Sequence, residues 1–129
     1  MRIRLIGTGA ISHEHAQAYQ NIGFRVTVCT NRSEESGRRF ASQYGAQFVP
    51  TYEEVCRHPE VDIVDVCTYP DFRQPAVQIC AEAGKHIQVE KPIATTVQDA
   101  REDHPHRCRC GHFAQRHQPE ALRRYQHLP

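Results

Sequence analysis

Ile3-Arg4-Leu5-Ile6-Gly7-Thr8-Gly9-Ala10-Ile11-Ser12 decides how this chain is read: an apolar run, a glycine-rich turn, then the opening of a periodic segment. The run predicts a β-strand, and Ser12 or His13 predicts the start of a helix reaching about Ile22, with Ala16 and Tyr19 on its apolar face. Gly7 and Gly9 lack the side chains that would hold a phosphate off the backbone. The helix they open presents unpaired N–H groups and the positive end of its dipole. That is chemistry for the pyrophosphate of a dinucleotide. Ser12 stands where G-x-G-x-x-G has its last glycine, so the turn alone leaves a cofactor loop and a structural turn both open.

Working outward, strand and helix patterns alternate. Phe24 to Cys29 is β-branched and alternating, and Thr30-Asn31-Arg32-Ser33 forms its exit turn. A helix follows from about Ser33 to Tyr44 and stops at Gly45. Gln47-Phe48-Val49 is a short third strand. Thr51-Tyr52-Glu53-Glu54 has capping-box spacing for a helix to about His58. Val61 to Thr68 is a fourth strand, and Pro70 and Asp71 lead into a helix ending near Ala83, with Gly84 as its stop. His86 to Val89 is a fifth strand with Glu90-Lys91-Pro92 at its end, and Thr96-Val97-Gln98-Asp99 opens another helix. Such alternation predicts an α/β fold, a Rossmann-type doubly wound parallel sheet.

Ligands of such sheets bind outside the carboxyl ends of the strands. Four exits therefore face one crevice: Gly7 to Ser12, Thr30 to Ser33, Thr68 to Asp71, and Glu90 to Pro92. Together they argue for a nicotinamide dinucleotide more strongly than one glycine turn does.

A chain of 129 residues holds one domain with a real core and hardly two. Its start leads into a strand without the apolar core of a signal peptide, and no run reaches membrane-spanning length, so a cytoplasmic protein without membrane contact is expected. Of the six cysteines, 29, 56, 67 and 80 fall inside strand or helix patterns at irregular spacing, which predicts reduced core thiols. Residues 1–101 balance 11 Lys/Arg against 12 Asp/Glu, which gives nucleic acid no basic face.

Gly7 to Ser12 followed by His15, then Cys67-Thr68-Tyr69-Pro70-Asp71, and above all Ala83-Gly84-Lys85-His86-Ile87-Gln88-Val89-Glu90-Lys91-Pro92, resemble the Gfo/Idh/MocA oxidoreductases, relatives of glucose-fructose oxidoreductase and inositol dehydrogenase. The resemblance covers residues 1 to about 101, the nucleotide-binding half of that family. It implies hydride transfer between a nicotinamide and a sugar, cyclitol or related hydroxyl compound. By the same analogy Lys91 lies beside the nicotinamide ribose and the substrate hydroxyl, where an ammonium stabilises a developing alkoxide. Glu90 holds the lysine or binds ribose, Pro92 fixes the turn that aims it, and His15 packs or caps near the cofactor. The cofactor-binding set is then Gly7, Thr8, Gly9, Ala10, Ile11, Ser12, Asn31, Arg32, Ser33, Thr68, Tyr69, Pro70, Glu90, Lys91 and Pro92.

Two positions depart from the family pattern. Arg73 replaces a histidine after the fourth-strand turn, which weakens any role for an imidazole there. Asn31, followed by Arg32 and Ser33, stands where an NAD-binding sheet offers a carboxylate to ribose, and this trio suits a 2′-phosphate. NADP is therefore expected ahead of NAD.

After Arg101 the periodicity ends, and residues 102–129 read as an irregular tail with five of the nine histidines. Cys108 and Cys110 alternate with basic residues rather than in zinc spacing, so no metal ligands are assigned. Arg107, Arg109, Arg116, Arg123 and Arg124 make at most a weak nucleic-acid arm. Read one base forward, the tail permits a helix end, a glycine stop and a buried strand, so a frameshifted product is favoured over a disordered terminus. The resembled family carries a second, sheet-rich domain with most substrate contacts and a catalytic His/Asp pair. The expectation is thus a truncated domain, residues 1–101, that binds dinucleotide but is inactive alone, and that meets a small polyhydroxy substrate only with a second domain. The alternative is a stand-alone NADP-binding sensor or interaction module with a metal- or nucleic-acid-binding tail.

Overall fold

Five apolar segments separated by amphipathic ones settle into five parallel strands in the computed structural model, which describes residues 1–59, 63–92 and 95–98. The elements are β1 (Arg2–Ile6), α1 (Ala10–Asn21), β2 (Arg25–Thr30), α2 (Glu34–Tyr44), β3 (Gln47–Phe48), α3 (Tyr52–Arg57), β4 (Ile63–Val66), a 3₁₀ turn (Pro70–Phe72), α4 (Gln74–Glu82) and β5 (His86–Val89). Strand order is β3-β2-β1-β4-β5, so the chain reverses direction across the sheet between β1 and β4. The Rossmann-type sheet expected from the alternation is borne out. The tail reading of residues 102–129 and the first part of the expected fourth strand lie outside the described residues.

The sheet has a core on each face, which is what doubly wound means energetically. On one side Ile3, Leu5, Val26 and Cys29 pack against Ala16 of α1 and Phe40 and Ala41 of α2. On the other, Ile6, Val28, Val64, Val66 and Ile87 pack against Val55 of α3 and Val77 and Cys80 of α4. Alternate side chains of β1 and β4 turn to opposite faces, and both strands are apolar apart from the buried Arg4 and Asp65. Burying a Val, Leu or Ile side chain in this way stabilises by about 1.5–3 kcal/mol. No helix among the described residues is long and apolar enough to cross a membrane.

Local signals set most boundaries. The hydroxyl of Ser33 accepts from Ser36 N at 3.4 Å and that of Thr51 from Glu54 N at 3.3 Å, capping α2 and α3. Gly45 ends α2 with φ 68°, a conformation costly for other residues. Strands β3 and β4 end at Phe48 and Val66, short of the expected Val49 and Thr68. Helix α1 starts at Ala10, not at Ser12 or His13, because Gly9 in extended conformation takes the cap position and the Ser12 hydroxyl is used elsewhere. Pro70 and Asp71 lead into a helix as expected, through the 3₁₀ turn, and α4 starts at Gln74 with Pro75, which has no N–H to lose, in its first turn.

The expectation of reduced core thiols is corrected at two positions. Cys56 on α3 and Cys80 on α4, both fully buried, form a disulfide with their Cα atoms 4.8 Å apart. The two helices lie side by side on one face of the sheet, a proximity that sequence spacing does not reveal. Cys29 and Cys67 are free thiols, and burial pushes Cys29 up to about 11.

Gly37 tests the packing. A Cβ added there would lie 2.3 Å from Cε2 of Phe48, the ring that closes the β3 edge of the core. Gly37→Ala gains about 1 kcal/mol of helix propensity but meets overpacking of about 1–3 kcal/mol. Urea denaturation is expected to show net destabilisation of about 1 kcal/mol, turning to stabilisation in a Phe48→Ala background. Destabilisation of equal size in both backgrounds would refute the contact.

Candidate functional site

The turn after β1 is held by three contacts. Gly7 has φ +93°, and a Cβ on it would lie 3.1 Å from Thr68 Cγ2 and 3.2 Å from the Cys67 carbonyl. Glycine is thus required twice, by conformation and by the close approach of the β4 exit. Gly7 N donates to Thr30 O at 2.9 Å, which ties the turn to the end of β2. Ser12 is fully buried and its hydroxyl donates to Gly7 O at 2.6 Å. The residue in place of the last glycine therefore staples the turn from within and does not face the cleft. Gly9 is different: a Cβ there would meet no protein atom within 4 Å.

The exits of β1, β2, β3 and β4 enclose a cleft of about 670 Å³. Gly7, Thr8, Gly9, Asn31, Arg32, Thr68 and Tyr69 line it, whereas Ala10, Ile11, Ser12, Ser33, Pro70, Glu90, Lys91 and Pro92 do not. Sequence reading missed the loop after β3, Pro50 to Glu53, which forms one wall. Its signal was available, since a third parallel strand must also open its carboxyl end on the crevice. Asn31 is partly committed: its Oδ1 accepts from Thr8 N at 3.2 Å and its Nδ2 donates to Ser33 O at 3.1 Å. Arg32 extends over the Phe72 ring, 5.4 Å from its centre, at the opening of the cleft. Glu53 and Asp71 supply the carboxylates of the lining.

The β4 and β5 exits are bound together by Arg73. Buried to 2% exposure, it donates through its two terminal nitrogens to Thr68 O at 2.6 Å and Pro92 O at 2.5 Å. The arginine at the departure from the family pattern is thus a cross-tie between two loops. Lys91, just before Pro92, is exposed.

Behind the cleft floor lies a polar cluster that the sequence reading did not assemble. Asp65, fully buried in β4, accepts from Tyr19 Oη at 2.7 Å and pairs with His15 Nδ1 at 2.8 Å. His15 Nε2 lies 3.0 Å from Glu90 Oε1. Cys67 Sγ lies 3.5 Å from His15 Nδ1 and 3.4 Å from Asp65 Oδ1. Burial first, and the adjoining Asp65 carboxylate second, push both the Tyr19 phenol and the Cys67 thiol well above their ordinary values. Tyr19 packs against the core that holds Ala16, as expected, and its hydroxyl, at helical spacing from His15, reaches Asp65. An aspartate inside an apolar parallel strand was the available signal.

A family model described as an oxidoreductase family with an NAD-binding Rossmann fold matches residues 1–104. The 4-carboxy-2-hydroxymuconate-6-semialdehyde dehydrogenase of Sphingobium sp. is 35% identical over 102 residues, covering 78% of this chain and 32% of that protein. An inositol 2-dehydrogenase/D-chiro-inositol 3-dehydrogenase of Halalkalibacterium halodurans is 31% identical over 102 residues, covering 76% and 29% respectively. The crystal structure of a probable dehydrogenase from Thermotoga maritima superposes with a TM-score of 0.80 at 26% identity, covering 86% of this chain and 34% of that one. The chain spans about a third of the length of the curated relatives it matches.

The Ser12 staple makes a specific stability claim. Ser12→Ala removes a buried hydrogen bond and leaves the Gly7 carbonyl short of a partner, an expected loss of about 1–3 kcal/mol in chemical denaturation. A change below about 0.5 kcal/mol, the range of surface substitutions, would show that the turn holds without it.

Proposed function

The chain belongs to the Gfo/Idh/MocA oxidoreductases, and from that premise we propose that it binds NADP ahead of NAD as the nucleotide half of a hydride-transfer site for sugar- or cyclitol-type hydroxyls. The single observation that carries this reading is the cleft itself, with a glycine turn at the start of α1 on one side and a cation at the exit of β2 on the other. The residues fit the group. Gly9 leaves room for a phosphate against the first N–H groups of α1, which carry the positive end of the helix dipole. Between Thr30 and Ser33 there is no carboxylate to repel a 2′-phosphate, and the Arg32 guanidinium is free to turn from the Phe72 face towards one.

The bound dinucleotide supplies the hydride-accepting or hydride-donating ring. The chain's own contribution is position and charge. Lys91 at the β5 exit presents an ammonium to the oxygen on which alkoxide character develops. Glu90 is held by His15, and Pro92 by Arg73, so the residues on both sides of the lysine are fixed. The polyhydroxy substrate class rests on the resemblance and on the inositol dehydrogenase relative.

Calorimetric titration of the full chain is expected to show NADPH binding about tenfold or more tighter than NADH, the scale of one hydrogen bond to a charged group. Arg32→Ala should bring the two affinities together mainly by weakening NADPH. Equal affinities in the unaltered protein, or tighter NADH, would remove the NADP preference and point to Glu53 as a ribose ligand. Gly9→Val should abolish binding of both while the circular dichroism spectrum is unchanged. Because the chain alone is expected to be inactive, Lys91 is tested after fusing the second domain of a relative behind residue 101: Lys91→Met should lower NADP-dependent oxidation of inositol at least about a hundredfold with dinucleotide affinity retained; undiminished turnover would exclude the lysine.

A further inference from the structure

His15, Asp65 and Cys67 bring an imidazole nitrogen, a carboxylate and a thiol within 4.8 Å of one another beneath the cleft. His15 Nδ1 lies 2.8 Å from Asp65 Oδ2 and 3.5 Å from Cys67 Sγ, and Cys67 Sγ lies 3.4 Å from Asp65 Oδ1. A tetrahedral zinc ion with nitrogen, oxygen and sulfur ligands at about 2.0–2.3 Å needs donor separations of about 3.3–3.7 Å. The sulfur has that separation from His15 Nδ1 and from Asp65 Oδ1. Nδ1 meets the other carboxylate oxygen, so for one oxygen to serve as the ligand the Asp65 carboxylate turns about its Cβ–Cγ bond, within a donor set that spans at most 4.8 Å, and the Nδ1–Oδ2 hydrogen bond opens.

The surroundings have the form of a metal site's outer shell. Glu90 Oε1 is 3.0 Å from Nε2, the ring nitrogen facing away from the triad, and so orients the imidazole with Nδ1 inward. Tyr19 donates to Asp65 Oδ2 at 2.7 Å and lies 3.3 Å from Gln88 Oε1. A neutral imidazole, a carboxylate and a thiolate sum to two negative charges, the complement of a dication in a place where a lone buried carboxylate is costly.

We propose that His15, Asp65 and Cys67 form a three-ligand site for a divalent ion of zinc type, with Glu90 and Tyr19 as the hydrogen-bonded shell around the ligands. On binding, the Cys67 thiol and His15 Nδ1 each release a proton to solvent, the latter giving up its hydrogen bond to Asp65, and the imidazole carries one proton, on Nε2 towards Glu90. Cys67 lines the cleft, so the fourth position opens towards it and is filled by water or by a ligand atom there. The site is independent of the dinucleotide reading and stands if that reading fails.

Cobalt(II) is the probe, since thiolate ligation gives it a near-ultraviolet charge-transfer band. The full chain is used with Cys108→Ser and Cys110→Ser, which leaves Cys29 and Cys67 as the thiols while Cys56 and Cys80 stay bonded. One equivalent of cobalt at micromolar concentration is expected to give the band, and zinc to displace it. Adding Cys67→Ser should abolish it, and Asp65→Asn should weaken binding at least tenfold. Absence of the band, or its survival in Cys67→Ser, would overturn the site. A second readout needs no variant: saturating zinc should protect Cys67 of the unaltered chain from alkylation, mapped by mass spectrometry. Unprotected Cys67 would equally overturn it.

Discussion

The passage of the backbone at Gly7 against the end of β4 is the constraint on which the site depends. With φ +93° and the Cys67 carbonyl 3.2 Å from where a Cβ would stand, no other residue fits without moving β4. That closeness lets the chain turn from the central strand directly into α1, so the helix begins at Ala10 and its amino end meets the cleft. Ser12 reaches back to the Gly7 carbonyl from the first turn of the helix it follows. The turn is therefore held by the sheet on one side and by its own helix on the other.

The two cores supply the rigidity that this geometry needs. Each face of the sheet is covered by a helix pair, and on one face Cys56 and Cys80 join the pair covalently. Besides Ser12 and Arg73, a carboxylate, Asp65, is buried beside the site. A buried carboxylate costs several kcal/mol unless hydrogen-bonded, and here Tyr19, His15 and Cys67 all converge on it. Because His15 continues to Glu90, the compensation for that burial also fixes the residue beside Lys91.

What could be read in the sequence was whatever depends on neighbours in the chain. Apolar period, the Ser33 and Thr51 caps and the Gly45 stop are local, and they suffice for the alternation of strands and helices that marks a doubly wound sheet. The glycine turn was legible as a motif, but the Ser12 bond that holds it was not. Contacts between distant residues left weaker traces: Tyr19 meets Asp65 across 46 positions and His15 meets it across 50. The Cys56–Cys80 bond spans 24 positions with no spacing rule to announce it.

Arg73 gives the site a mechanical property. One planar guanidinium holds the carbonyl of Thr68, a residue of the cleft wall, and the carbonyl of Pro92, next to Lys91. The fork is stiff and buried, so the two carbonyls keep a fixed separation. A ligand that displaces Thr68 must drag Pro92 with it or break a charge-assisted bond of about 1.5–3 kcal/mol. The cleft wall and the lysine-bearing loop are in this way joined by a single side chain. A histidine at this position, too short to span both loops, would leave them to move separately.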